Sequence, residues 1–171
     1  MGGPSLIGPQ PEFSWKDVIS FMELTSTPYS NSDSIGTIRN GVTRKAYAIF
    51  ASQPSRWFLL ALSTAQQEFH VHMFNSAGVV HSRAYGIHWF PCILLCMLAV
   101  LTFSQPEHVG FNPTIIYLSP SSQISGNNTI QVSSATYSII RQFFFNYLIC
   151  GWGTTCWHVR RNGEDFVIKD S

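Results

Sequence analysis

Charge is what this sequence has least of. Only 11% of its 171 residues are Asp, Glu, Lys or Arg, against about a quarter in an ordinary globular chain. Ten basic and nine acidic residues leave a net charge of +1. No positive field is available to grip a phosphate backbone through many contacts, so no nucleic-acid partner is expected. Cysteine is also scarce. Cys92, Cys96, Cys150 and Cys156 form no CxxC pair, which excludes a disulfide framework, and they read as reduced thiols. The opening MGGPSLIGPQPEF lacks a basic segment followed by an apolar run. The expectation is therefore an intracellular protein, cytoplasmic or nuclear and not secreted. Leu6 stands where a myristoylation motif needs Ser or Thr, and the Asn127-Asn128-Thr129 sequon has no glycosylation chemistry to serve.

A long uninterrupted membrane span is lacking too. The best candidate, Tyr85 to Phe103, is nearly uncharged, but its helical part runs only from Pro91 to Phe103. At 1.5 Å per residue that is roughly 20 Å, short of the roughly 30 Å hydrocarbon core, so no membrane is expected. A helix apolar all round reads instead as the buried helix of a globular core, with Cys92 and Cys96 as core thiols.

Hydrophobic residues make up 45% of the chain, and its length suits one domain, or one domain and part of another. Residues 1–14 carry three prolines and three glycines and read as a flexible lead-in. Val18 to Leu24 reads as a strand. After a cap at Asp33 or Ser34, Ile35, Ile38, Val42, Ala46 and Ile49 recur at helical spacing up to a stop at Pro54. Arg56 to Leu62 is an apolar run of central-strand character. Phe69, Val71 and Met73 should share one face of the next strand and His70 and His72 the other, with a turn at Asn75 to Gly78 leading into Val79 to Arg83. A histidine face of this kind is ordinarily solvated. His70 and His72, with His81 across the hairpin, offer too few ligands at tetrahedral spacing for zinc, so no metal site is expected.

At the C-terminal end a glycine-rich turn, Gly151-Trp152-Gly153-Thr154-Thr155, precedes two short strands around Asn162-Gly163, the second ending Val167-Ile168-Lys169. Glycines there would let backbone amides approach phosphate oxygens, and a lysine on the second strand would reach them from beneath. By pattern alone an ordinary hairpin turn fits better, since Cys156 stands where kinases place a third glycine.

GWGTTCWHVRRNGEDFVIKDS resembles the fungal-type protein kinase family, whose small lobe opens with G-R-G-T, a Cys-Trp pair and a Val-Ile-Lys-Asp-Ser strand. Further landmarks of that family occur in order: Trp15-Lys16-Asp17-Val18 leading to Glu23, Gln53-Pro54-Ser55-Arg56-Trp57-Phe58, the Asn75 to Gly78 turn, and Gly110-Phe111-Asn112-Pro113-Thr114-Ile115. This sequence departs from the family at Trp152 in place of Arg, Asn75-Ser76 in place of Asp-Arg, and Asn112 in place of Asp.

The resemblance implies ATP-dependent phosphoryl transfer to Ser or Thr of proteins, with ATP and Mg as cofactors. Gly151, Gly153 and Thr154 would cradle phosphates and Lys169 would pair with them. The αC glutamate, the catalytic-loop aspartate and asparagine and the DFG aspartate all follow that lysine in a kinase, and none lies within the 171 residues. The expectation is a mixed α/β fragment, itself inactive and not binding ATP or Mg. Its expected parts are the lead-in at 1–14, an α/β N-terminal domain at 15–135 and a partial kinase small lobe at 136–171. The protein substrate or docking partner and the oligomeric state stay undefined. Two alternatives remain: a non-catalytic partner-docking or regulatory α/β module, and a degenerate nuclease. The second rests on the restriction-endonuclease-like order of strand, helix and strands, with Asp17 and Glu23 as a metal pair, but Thr25 stands where such a site needs lysine.

Overall fold

The computed structural model describes residues 14–26, 28, 32–117, 128–146, 149 and 153–170. A single 3-10 turn at Trp15–Asp17 leads into β1 (Phe21–Thr25), three residues later than the strand expected at Val18. The delay has a cause: the carbonyls of Val18 and Ile19 are taken by the side chains of Gln53 and Arg56 and not by a neighbouring strand. Helix α1 (Ser32–Ser52) then presents Ile38, Val42, Ala46, Ile49 and Phe50 along one buried stripe. Ile38, Val42, Ala46 and Ile49 keep the helical spacing legible in the sequence and Phe50 joins them, while the Ile35 side chain lies outside the described residues and Asp33 and Ser34 fall inside the first turn.

Beyond α1 come β2 (Phe58–Ala65), β3 (Glu68–Asn75), β4 (Gly78–His81) and the short β5 (Tyr85–Gly86). The first sheet has the order β1-β2-β3-β4, with β5 pairing beside β4 on the same edge of β3. β1 runs parallel to β2 and the other pairings are antiparallel. The parallel pair needs a crossover, and α1 supplies it. Val42, Ala46, Ile49 and Phe50 pack against Leu59, Ala61 and Phe74, which share one face of β2 and β3.

Two expectations are corrected here. On β3 the buried residues are Phe69, His72 and Phe74, while Met73 is exposed. The histidine face is thus the face under α1, not a solvated one. The second correction concerns α2 (Pro91–Phe103), which has the expected bounds but not one buried side chain; Cys92 and Cys96 are exposed thiols. A helix apolar all round announces only that it has no polar face, and what covers it is a tertiary matter. Among the described residues no helix is long and apolar enough to cross a membrane.

A 3-10 turn at Pro106–Val109 ends at Gly110, and β6 (Ile115–Ile116) and β7 (Thr129–Val132) follow. β8 (Ala135–Phe145), β9 (Thr155–Arg161) and β10 (Glu164–Asp170) complete a second, wholly antiparallel sheet of order β10-β9-β8-β7-β6. The C-terminal hairpin β9-β10 is therefore no isolated pair: β8 covers its inner edge. The core of this sheet is Ile115, Ile130, Ile139, Trp157 and Val159. The fold is mixed α/β, as the sequence implied.

Candidate functional site

The glycine turn, β9 and β10 carry the residues that chemistry would need. Gly151 lies outside the described residues. Gly153 sits at φ +28, and a methyl placed on it would come within 2.5 Å of Ser76 Cβ. Glycine is thus required there by close packing against the turn that joins β3 to β4. Thr154 is almost fully buried, and its carbonyl accepts the Asn146 amide at 2.9 Å, closing the neck of the turn. Thr155 donates its hydroxyl to the carbonyl of Pro54 at 3.2 Å.

Lys169 lies opposite Cys156 on β9, as Val167 lies opposite His158. Strand alternation puts these residues on the face away from Ile168, which packs on the Trp157 core. That outer face is open: Lys169 and Val167 are exposed. Farther along it Asp165 receives both nitrogens of Arg160, at 2.6 and 3.1 Å, and lies 3.2 Å from His158. The Arg160 bond holds the Asp165 carboxyl down at about 2. A hollow of about 230 Å³ adjoins the glycine turn, lined by Gly153, Thr155 and Asp170 and, on the other side, by Arg56, Trp57 and Ser76. It opens on the core face. The described part of the turn and Lys169 thus occupy one end of the second sheet but different faces of it.

The segments that carry the family resemblance are scattered in sequence and meet in space. Gln53 is fully buried and donates to the carbonyls of Trp15, at 2.8 Å, and Val18, at 2.7 Å. The Arg56 guanidinium donates to Gln53 Oε1, at 2.8 Å, and to the carbonyls of Phe58, Val109 and Ile19, and lies 4.3 Å from the centre of the Phe111 ring. Burial lowers the Arg56 pKa to about 9, which still leaves it charged at neutral pH. The Asn112 side chain accepts from Thr114 and donates to Asp170 at 2.7 Å, and the Trp57 indole N–H lies 3.4 Å from the same carboxylate. An aspartate at position 112 could keep the Thr114 bonds but not donate to Asp170. The end of the lysine strand is thereby tied to the N-terminal part of the chain. Sequence reasoning read Arg56 as a strand start and named these segments only as separate family landmarks; that they meet at the Arg56 guanidinium was not legible, although three polar side chains, Gln53, Ser55 and Arg56, between two apolar elements were a signal.

A polar row crosses the first sheet beneath α1. Glu23 on β1 lies beside Ser63 on β2, Ser63 beside His70 on β3, and His72 beside His81 on β4. Glu23 pairs with Lys45 from α1, so its carboxylate is engaged by a cation that the strand sequence lacks. Asp17 sits apart in the first 3-10 turn. His72 Nε2 bonds Ser63 Oγ at 2.7 Å and its Nδ1 approaches His81 Nδ1 at 2.6 Å. Among the described residues no three His, Cys, Asp or Glu side chains gather to hold a metal.

Burial, then the neighbouring His81, His70 and Arg39, push His72 down to about 3 from the ordinary 6.5, and His81 moves the same way. His72 stays neutral in the fold and takes up a proton on unfolding, and the downward shift of His81 acts in the same direction. Stability is therefore complete above the ordinary histidine value and falls as pH drops below it. Urea midpoints at pH 7 and pH 5 should differ by on the order of 2 kcal/mol through His72 alone, and His72→Gln should shrink that difference.

Residues 8–171 match the family model described as fungal protein kinase. No curated protein and no solved structure matches the chain.

Proposed function

The chain belongs to the fungal protein kinase family, and from that premise we propose that residues 136–171 form the opening of a kinase small lobe, with residues 15–135 as an N-terminal α/β domain that holds it. One observation carries the proposal. β8, the glycine turn, β9 and β10 run antiparallel in the order a small lobe requires, with Lys169 on an open face beside Val167 and His158. In that reading Lys169 meets the α and β phosphates of ATP and Gly151 would approach them from the turn, whereas Gly153 and Thr154 are turned to the other face and engaged in packing, so as they stand they do not converge with Lys169 on one phosphate. The reaction of the family would be transfer of a phosphoryl group to a Ser or Thr hydroxyl of a protein, and these residues would supply only the start of the lobe that performs it.

Fit with the cofactors is partial. An exposed lysine suits a phosphate. The metal does not fit: no cluster of three acidic, histidine or cysteine side chains exists among the described residues, so no step is routed through magnesium. The closeness of Ser76 to Gly153 shows that this glycine also serves packing inside the chain. With no metal-holding cluster among the described residues, this lysine has no metal there to act with. Purified protein incubated with labelled ATP and magnesium should transfer no label to itself or to a generic substrate. Transfer that disappears in Lys169→Ala would overturn the expected inactivity of these residues and leave the small-lobe reading standing, whereas ATP-dependent transfer unchanged in Lys169→Ala would overturn the role given to this lysine.

A second reading, a partner-docking or regulatory module, draws on a hollow of about 620 Å³ between Lys16, Asp17 and Ile19 on one side and Pro106 to Tyr117 on the other. A restriction-endonuclease-like domain with degenerate nuclease chemistry ranks third, because Glu23 is already engaged by Lys45.

A further inference from the structure

Beneath α1 two imidazoles meet nitrogen to nitrogen. His72 is buried, with its Nδ1 at 2.6 Å from His81 Nδ1 and its Nε2 at 2.7 Å from Ser63 Oγ. Between two ring nitrogens so close there is room for one hydrogen: one imidazole donates it and the other accepts. The closed pair therefore holds at most one of the two protons that two free histidines take up in acid. Even that one is poorly placed. On α1, Lys45 and Arg39 stand three residues to either side of the buried Val42; Lys45 reaches Glu23 on β1, so Arg39 overhangs the opposite flank, toward β3 and β4. The Arg39 charge opposes a proton on either member of the pair. Of the carboxylates on this face, Glu23 is taken by Lys45, and Glu68 stands exposed at the start of β3, beyond His70. His70 itself is bonded through Nδ1 to the Ser82 carbonyl at 2.8 Å.

The element free to yield is β4. It is four residues long, stands outermost in the order β1-β2-β3-β4 and exposes Val79 and Val80. Short edge strands of this kind open at low cost. The turn that enters β4 carries Ser76, which leaves no space for a Cβ on Gly153. We propose that the His72–His81 contact is a proton-operated latch on β4: added protons open the strand, and its opening lifts Ser76 off the glycine turn. The device concerns the freedom of that turn and needs no nucleotide, so it stands or falls apart from the small-lobe reading. Its sign follows from proton counting. Opening lets at least one more imidazole titrate at its ordinary value of 6.5, so the open fraction grows by about 25-fold or more between pH 7 and pH 5.

Native-state amide exchange on the whole chain at pH 7 and pH 5, corrected for the intrinsic chemical rate, tests the latch. The Ser82 amide, bonded to the Val71 carbonyl, reports the end of β4, and the Asn146 amide, bonded to the Thr154 carbonyl, reports the neck of the glycine turn. Both should exchange through openings smaller than the one that releases Ala61 on the central β2, and both should lose protection by about 25-fold or more at pH 5. His72→Gln should shrink that response at both amides. Ser76→Gly, a turn substitution outside the core, should keep it at Ser82 and cancel it at Asn146; with the parent chain it decides the matter if His72→Gln does not fold. Protection at Ser82 that is the same at both pH values overturns the proposal, as does a loss at Ser82 without one at Asn146 in the parent chain. Exchange of both amides only together with Ala61 also overturns it, because the loss would then be global. So does a response at Asn146 that survives Ser76→Gly, or one that is undiminished in His72→Gln.

Discussion

Gly110→Ala should destabilise the chain by about 4 kcal/mol or more, at the far end of what single substitutions do. Gly110 ends the second 3-10 turn at φ +107, a left-handed conformation that side chains rarely adopt. A methyl there would stand 1.8 Å from the carbonyl oxygen of Phe58. The obstacle is backbone at the start of β2, the central strand of the first sheet, and not a side chain that can swing away. Relief requires moving the Gly110 carbonyl off the amides of Trp57, at 2.8 Å, and Phe58, at 3.4 Å. Gly163→Ala separates strain from clash. Its φ is +85 but nothing lies within 4 Å of the added methyl, so about 1 kcal/mol is expected from the left-handed backbone alone. Thermal melts of the two variants beside the parent chain check both values.

Arg56→Ala should cost about 3–5 kcal/mol, because truncation strands several buried acceptors at once. The carbonyls of Ile19, Phe58 and Val109 and the Gln53 side chain all lean on this guanidinium. Against a total stability of about 5–15 kcal/mol the loss leaves a barely folded chain. Arg56→Lys should fail to rescue it. One ammonium on a flexible stem cannot reproduce a planar fork aimed in several directions, nor the contact over the Phe111 ring. A urea midpoint for Arg56→Lys close to that of the parent chain would show that charge alone, and not the fork, holds the junction.

Periodicity made the elements legible and left their coverings hidden. The α1 stripe, the central β2, the β3-β4 hairpin and the Asn162-Gly163 turn follow from local spacing and turn chemistry, which need no knowledge of the rest of the chain. The face of β3 did not follow. His70 and His72 look like solvent residues until Ser63 and His81 are brought beside His72 by strand register. Nor did the exposure of α2, since an all-apolar helix carries no sign of which side has a neighbour. The site was legible in its residues and not in its surroundings. Lys169 and Gly153 stand out in the sequence, yet that Gly153 would press on Ser76 and that Asp170 would be held by Asn112 depend on contacts across most of the chain.

The central claim is that the lysine strand and glycine turn of a kinase family member are held here by the N-terminal domain, without forming a nucleotide site within these residues. ATP in a kinase is gripped between two lobes, and the outer face bearing Lys169 has no opposing surface among the described residues. Titration calorimetry with ATP and magnesium tests this most directly. Millimolar nucleotide should give no binding heat, and Lys169→Ala should be indistinguishable from the parent chain. Micromolar affinity that is lost in Lys169→Ala would contradict the claim and would mean that the N-terminal domain, or a second copy, completes the site.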